Sequence, residues 1–170
     1  MTKTHSTTPE LSLAVQYGID DPELPRWRIR RWVQGALLAS QTTGARGTRN
    51  AKGVKHLMLT LRLVDQAEGR DLNRTYRGKD YATNVLTFDY EPVNGLQNHV
   101  MADIVICTPV LRQEAKAQGK QYLHHAAHLV VHGTLHALGY DHVTKPQAEQ
   151  MEALEVNILK RWGIKDPYNT

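Results

Sequence analysis

His132-Gly-Thr-Leu-His136-Ala-Leu-Gly139-Tyr-Asp-His142 places three imidazoles at spacings that suit one metal ion. Four residues are slightly more than one helical turn, so His132 and His136 fall on one helix face, offset by about 40° around the axis and about 6 Å along it. Glycine takes the left-handed conformation of a helix stop most easily, so Gly139 lets the chain turn and carry His142 back toward the same ion. Three neutral imidazoles with one open position describe a catalytic zinc site better than a structural one. Zinc so held lowers the pKa of a bound water to about 7 and polarises a carbonyl or phosphoryl oxygen. Hydrolysis is the expected reaction, with His132 both a ligand and part of the catalytic centre.

The same spacing occurs in the metzincin peptidases, where the residue after the first histidine is the general-base glutamate. Here that residue is Gly133, and a peptidase would lack its usual proton-transfer agent. A metalloprotease is therefore a disfavoured alternative. His128 continues the histidine face one turn earlier and is expected to line a pocket or support a ligand, while His124 and His125 are expected on the surface. Metal-ligating histidines usually donate their second ring proton to a carbonyl or carboxylate, and Asp103, Asp141, Glu152 and Glu155 are the candidates to accept it. The single cysteine, Cys107, follows Ile104-Val105-Ile106 in a strand-like run and reads as a buried, inert thiol.

The elements that must position these residues follow from hydrophobic periodicity. Leu11 to Tyr17 alternates as a half-buried strand. Pro25 to Ser40 reads as a helix with Trp27, Ile29, Val33, Leu37 and Leu38 approximating its apolar stripe. Gln41 to Gly53 has no periodicity and reads as a mobile basic loop. Val54 to Val64 is a strand with Leu57, Leu59, Leu61 and Leu63 on one face, and Gln66 to Arg77 is a short helix ending at Gly78. Asn84 to Tyr90 and Val100 to Cys107 are two neighbouring strands around Asn94-Gly95. Three helices complete the chain: Pro109 to Gln118, Gln121 to Leu138 and Pro146 to Trp162, the last capped by Thr144. This order predicts a single-domain α+β fold over residues 1–170, with a mixed four-stranded sheet covered by helices and the metal site at the end of a helix in the C-terminal half. Residues 1–10 are expected to form a disordered tail.

With 170 residues, 41% hydrophobic and 22% charged, the composition is that of an ordinary globular domain. One cysteine, the lack of an apolar leader and the lack of any apolar run near the 18 or so residues that span a bilayer predict a cytoplasmic protein outside the membrane. The net charge of +4 is unevenly spread: residues 26–79 hold thirteen Lys or Arg against Asp65, Glu68 and Asp71, whereas residues 86–170 are slightly acidic. A cationic segment of this density suits a polyanion, although a solvated face would look the same.

Ala127-His128-Leu-Val-Val-His132-Gly-Thr-Leu-His136-Ala-Leu-Gly-Tyr-Asp-His142 resembles the signature of the bacterial YbeY family of endoribonucleases and rRNA maturation factors. Leu72-Asn73-Arg-Thr-Tyr76-Arg77-Gly-Lys-Asp80-Tyr-Ala-Thr83-Asn84-Val85-Leu86-Thr87-Phe88 and Ala102-Asp103-Ile104-Val105-Ile106 are similar to two further blocks of that family. The resemblance runs from about Leu11 to Trp162. It implies a single-domain α+β fold, one metal ion on His132, His136 and His142, and metal-dependent cleavage of single-stranded RNA in rRNA maturation at the 16S rRNA 3′ end and in ribosome quality control, with the ribosome or its small subunit as partner. It also marks Arg77 as an essential arginine. A guanidinium can pair with two phosphate oxygens at once, so Arg77 would hold the scissile phosphate; the plainer reading is a surface arginine beside Asp80. Thr87 and Ala102 stand where serine and glycine are commoner, and the basic loop from Gly44 to Gly53 is longer than usual. An rRNA-binding assembly factor with a structural metal remains the alternative of a different class.

Overall fold

The structure is a computed structural model that describes residues 8–42, 53–92 and 94–169. The elements run β1 (Glu10–Tyr17), α1 (Arg26–Ser40), β2 (His56–Val64), α2 (Gln66–Arg77), β3 (Val85–Asp89), β4 (His99–Cys107), α3 (Thr108–Ala117), α4 (Tyr122–Ala137) and α5 (Lys145–Lys160). They build the expected α+β fold around one four-stranded mixed sheet of order β1-β2-β4-β3. β1 and β4 flank β2 in parallel, and β3 is antiparallel to β4. Strand Glu10–Tyr17 starts within the tail expected over residues 1–10, and Pro9 is already buried. Most of the expected basic loop lies outside the described residues.

The alternation of β2 decides which face is covered. Leu57, Leu59, Leu61 and Leu63 join Val100, Ala102, Ile104 and Ile106 of β4 in the main core, beneath α1, α4 and α5. Burying each leucine, isoleucine or valine of this set contributes about 1.5–3 kcal/mol. On the opposite face Val64, Leu86, Val105 and Cys107 form a smaller cluster with Leu72 of α2 and Val110 of α3. Cys107 is buried as expected, and burial pushes its thiol pKa up. α1 departs from the expected stripe. Its buried face is Ile29, Trp32, Val33, Ala36 and Leu37, while Trp27 and Leu38 are 60% and 40% exposed. The i, i+3, i+4, i+7, i+8 pattern through Trp32 and Ala36 is the better helical fit.

α4 positions the candidate site. It is buried almost all round, with Ala126, Ala127, Leu129, Val130, Val131, Gly133, Thr134, Leu135 and Ala137 packed inside. After Leu123 its half-exposed positions are His124, His128, His132 and His136, a stripe at four-residue spacing. A Cβ on Gly133 would lie 3.1 Å from the Ile104 side chain, so the position that carries a peptidase's glutamate here presses against β4. No helix among the described residues is long and apolar enough to cross a membrane.

Candidate metal centre

α4 ends at Ala137, and Gly139 follows at φ 100°, the positive value that favours glycine. The Gly139 amide donates to the His136 carbonyl and the Tyr140 amide to the Leu135 carbonyl, both at 3.0 Å, which closes the helix end. Tyr140 is buried and anchors the turn. The Asp141 carboxylate accepts from the His142 amide at 2.7 Å, and Thr144 opens α5 with a capping box completed by Gln147. The loop between the two helices is thus fixed at both ends, and it returns His142 to α4.

His132, His136 and His142 form a group that could hold a metal ion, each offering one nitrogen within 4.8 Å of the others. His136 Nε2 and His142 Nδ1 are 3.1 Å apart. Two ligands on one tetrahedral zinc, each about 2.0–2.1 Å from it, would be about 3.3 Å apart. Burial and the neighbouring His132 and His142 push the His136 pKa down, which keeps its lone pair available. Chemistry and spacing of the donor set both fit a metal. Asp141, one of the candidate acceptors for a ligand histidine, instead accepts from the backbone of His142.

Glu155 is the carboxylate that orients one of these histidines. It is fully buried on α5 and accepts from His132 Nδ1 at 2.6 Å, from His128 Nε2 at 3.1 Å and from the Tyr168 hydroxyl. Burial alone would raise its pKa, but the hydrogen bonds from His128, His132 and Tyr168 outweigh it and hold the group at about 2. An ionised Glu155 can only accept, so the His132 proton sits on Nδ1 and leaves Nε2 free for a metal. His128, His132 and Glu155 also lie close enough to resemble a second metal-binding group. The 2.6 Å separation of His132 Nδ1 and Glu155 is too short for two ligands of one ion and is that of a charge-assisted hydrogen bond.

The other sequence-derived residues divide. Glu152 lines a concavity with His132, His142 and Glu155. Asp103 lies on β4 and accepts from the Tyr90 hydroxyl, away from the histidines. His125, expected on the surface, is only 5% exposed, with Nε2 2.7 Å from Glu114, which also accepts from the Asn84 amide. Tyr168, which sequence reasoning missed, comes from the C-terminal segment and packs edge-on against His128.

Arg77 closes α2 and is exposed; it touches none of the three histidines. Its Nη2 donates to the Thr87 carbonyl at 3.0 Å, and its guanidinium lies 5.2 Å from the Phe88 ring centroid. Asp80 pairs with Arg70 rather than Arg77. The bond to Thr87 uses the backbone, so threonine in place of serine leaves it intact. β3 links the two regions: Thr87 holds Arg77, while Val85 lines a concavity of about 340 Å³ with His128 and His132.

Fold and site together define a single-domain α+β protein whose central helix carries a three-histidine group able to hold a metal ion. The sequence model of one family, described as Endoribonuclease YbeY, matches residues 19–163. The chain belongs to that family. It is similar to proteins named Endoribonuclease YbeY from Bordetella pertussis, Janthinobacterium sp. and Alkalilimnicola ehrlichii, at 57%, 50% and 46% identity. These alignments cover 94%, 94% and 99% of this chain and 96%, 95% and 97% of the relatives. A Thermotoga maritima protein solved in solution shares the fold, with a TM-score of 0.56 and 20% identity over 94% of this chain and all of that one.

Proposed function

We propose that this protein is a cytoplasmic, zinc-dependent endoribonuclease that cuts single-stranded RNA during rRNA maturation at the 16S rRNA 3′ end and in ribosome quality control, with the small ribosomal subunit as its partner. The observation that carries the reading is the convergence of His132, His136 and His142 in a chain 46–57% identical to proteins named Endoribonuclease YbeY. When bound there, zinc would lower the pKa of a coordinated water to about 7 and polarise a phosphoryl oxygen.

The chain's own residues supply orientation and charge. Glu155 fixes the ring and tautomer of His132, so that Nε2 faces the site. Gly139 and Tyr140 set the turn that brings His142 alongside His136. Arg77 uses one N–H on the Thr87 carbonyl and one on the Tyr76 carbonyl, and its remaining donors serve phosphate oxygens, where they stabilise the negative charge that grows there. His132, His136 and His142 are the metal ligands, and Arg77 is the residue that holds the phosphate.

Zinc content measured beside cleavage of a fluorescent single-stranded RNA tests this division of labour. His136→Ala is expected to lose metal and cleavage, whereas Arg77→Ala is expected to keep metal and fold and lose cleavage. Full cleavage by Arg77→Ala would remove it from the mechanism.

A further inference from the structure

We propose that the exposed face of α1 is a second RNA contact, separate from the metal centre, which takes the phosphate backbone of helical RNA flanking the strand to be cut. The inference rests on the proposed function for its substrate class and on α1 for everything else. Arg26, Arg28, Arg30 and Arg31 lie within six residues at the start of the helix. With Ile29, Trp32, Val33, Ala36 and Leu37 turned into the core, Arg26, Trp27, Arg30 and Arg31 are left in solvent. Residues four apart share a face, so Arg26 with Arg30 and Trp27 with Arg31 form two adjacent rows of one cationic strip.

What separates this strip from an ordinary solvated face is that its charge is uncompensated. Among the described residues, none of the four arginines forms an ion pair. Their polar and ring contacts are with carbonyls or aromatics: Arg28 donates to the Glu23 carbonyl, Arg30 to the Leu11 carbonyl, Arg26 lies over Tyr17 and Arg28 over Trp27. Of the acids just before the helix, Asp21 and Glu23 are engaged by Arg112 of α3 at 3.1 and 3.0 Å, and exposed Asp20 pairs with none of the four arginines. Elsewhere in the basic half, Arg62, Arg70 and Arg74 are matched by Glu68, Asp80 and Asp71. No acidic residue occupies the first turn of α1, so its helix dipole adds to the positive field.

The shape selects the partner. Single strands are held in grooves with aromatic platforms, whereas this strip is the outward face of a helix. A rod of phosphates along an RNA duplex meets such a face through Arg–phosphate pairs, and the exposed Trp27 ring lies beside the cations to pack on ribose.

The test is fluorescence anisotropy of a 20-base-pair RNA duplex, which a single-strand nuclease does not cut, titrated with the full chain between 50 and 200 mM salt. Arg26→Ala/Arg31→Ala is expected to bind roughly tenfold or more weakly and to flatten the slope of log affinity against log salt by about 0.9 for each phosphate no longer neutralised. Lys116→Ala/Lys160→Ala, which removes the same charge from α3 and α5, is expected to keep the slope. Zinc content and cleavage of an eight-nucleotide single strand should stay unchanged in both variants. An unaltered slope for the arginine variant, an equal loss for the lysine variant, or no duplex binding by the unaltered protein would overturn the proposal. Failure to cut any single strand would refute the proposed function instead, and the duplex arm would still read α1.

Discussion

Glu155→Gln removes one charge and almost no volume from the interior, so it isolates what the carboxylate does. Glu155 is fully buried and faces three donors, His132 Nδ1, His128 Nε2 and the Tyr168 hydroxyl. A glutamine has one acceptor oxygen for them. If that oxygen faces His132, the amide N–H groups confront His128 and Tyr168; if it faces away, the amide confronts the His132 proton and favours the tautomer whose Nε2 no longer binds metal. Either arrangement loses at least one charge-assisted hydrogen bond, about 1.5–3 kcal/mol. Because that bond orients His132, one of the proposed ligands, zinc affinity should fall about ten- to a hundredfold. Competition against a fluorescent zinc chelator at pH 7.5 measures it directly, and a thermal melt of the zinc-free protein shows whether the fold survives. Glu155→Asp, which keeps the charge but shortens the reach, should recover part of the affinity. Wild-type zinc affinity in a folded Glu155→Gln protein would refute the orienting role.

Other consequences follow from single positions. Gly139→Ala forces a Cβ into a positive-φ turn, costs about 1–2 kcal/mol and should weaken zinc binding by displacing His142, read by the same competition assay. Gly35→Ala would set a Cβ 2.6 Å from the Trp162 ring, and the resulting strain of about 1–3 kcal/mol should lower the melting temperature by several degrees with zinc affinity unchanged. Burial lowers the His125 pKa below 6.5 despite its bond to Glu114. A histidine held neutral in the fold contributes stability that is complete above pH 6.5 and is lost as pH falls toward the folded pKa. Urea melts at pH 8 and pH 5.5 should therefore show a smaller acid loss in His125→Gln than in the unaltered protein; equal losses would show that His125 is not the group responsible.

Much of the site is legible in the sequence because it depends on short-range spacing. His132 and His136 follow from the helix period, His142 from the stop at Gly139, and the start of α5 from Thr144. The leucines of β2 announce its buried face in the same way. Glu155 carries a signal too: it occupies a core position on the stripe Met151, Leu154, Glu155, Ile158 and Leu159, where a carboxylate must find buried donors. Periodicity cannot name those donors, because Tyr168 arrives from an irregular segment with no period of its own. It places β3 beside β4, as observed, but it cannot order the whole sheet, since β1 with β2 and β2 with β4 pair across intervening elements. Trp27 and Leu38 mislead because a large apolar side chain reads as buried wherever it stands, whereas the i, i+3, i+4, i+7, i+8 spacing runs through Trp32 and Ala36. His125 misleads because a polar residue on a helix reads as exposed until a partner such as Glu114 is seen beside it.

That the histidine centre makes this chain a metal-dependent nuclease is the proposal on which the other readings depend. It is tested most directly by cleavage of a fluorescent single-stranded RNA with highly purified protein, zinc-stripped and then zinc-restored, beside His132→Ala prepared identically. Cleavage should disappear on stripping, return with zinc and be absent throughout in His132→Ala. Cleavage that survives stripping, or that His132→Ala performs equally well, would contradict it.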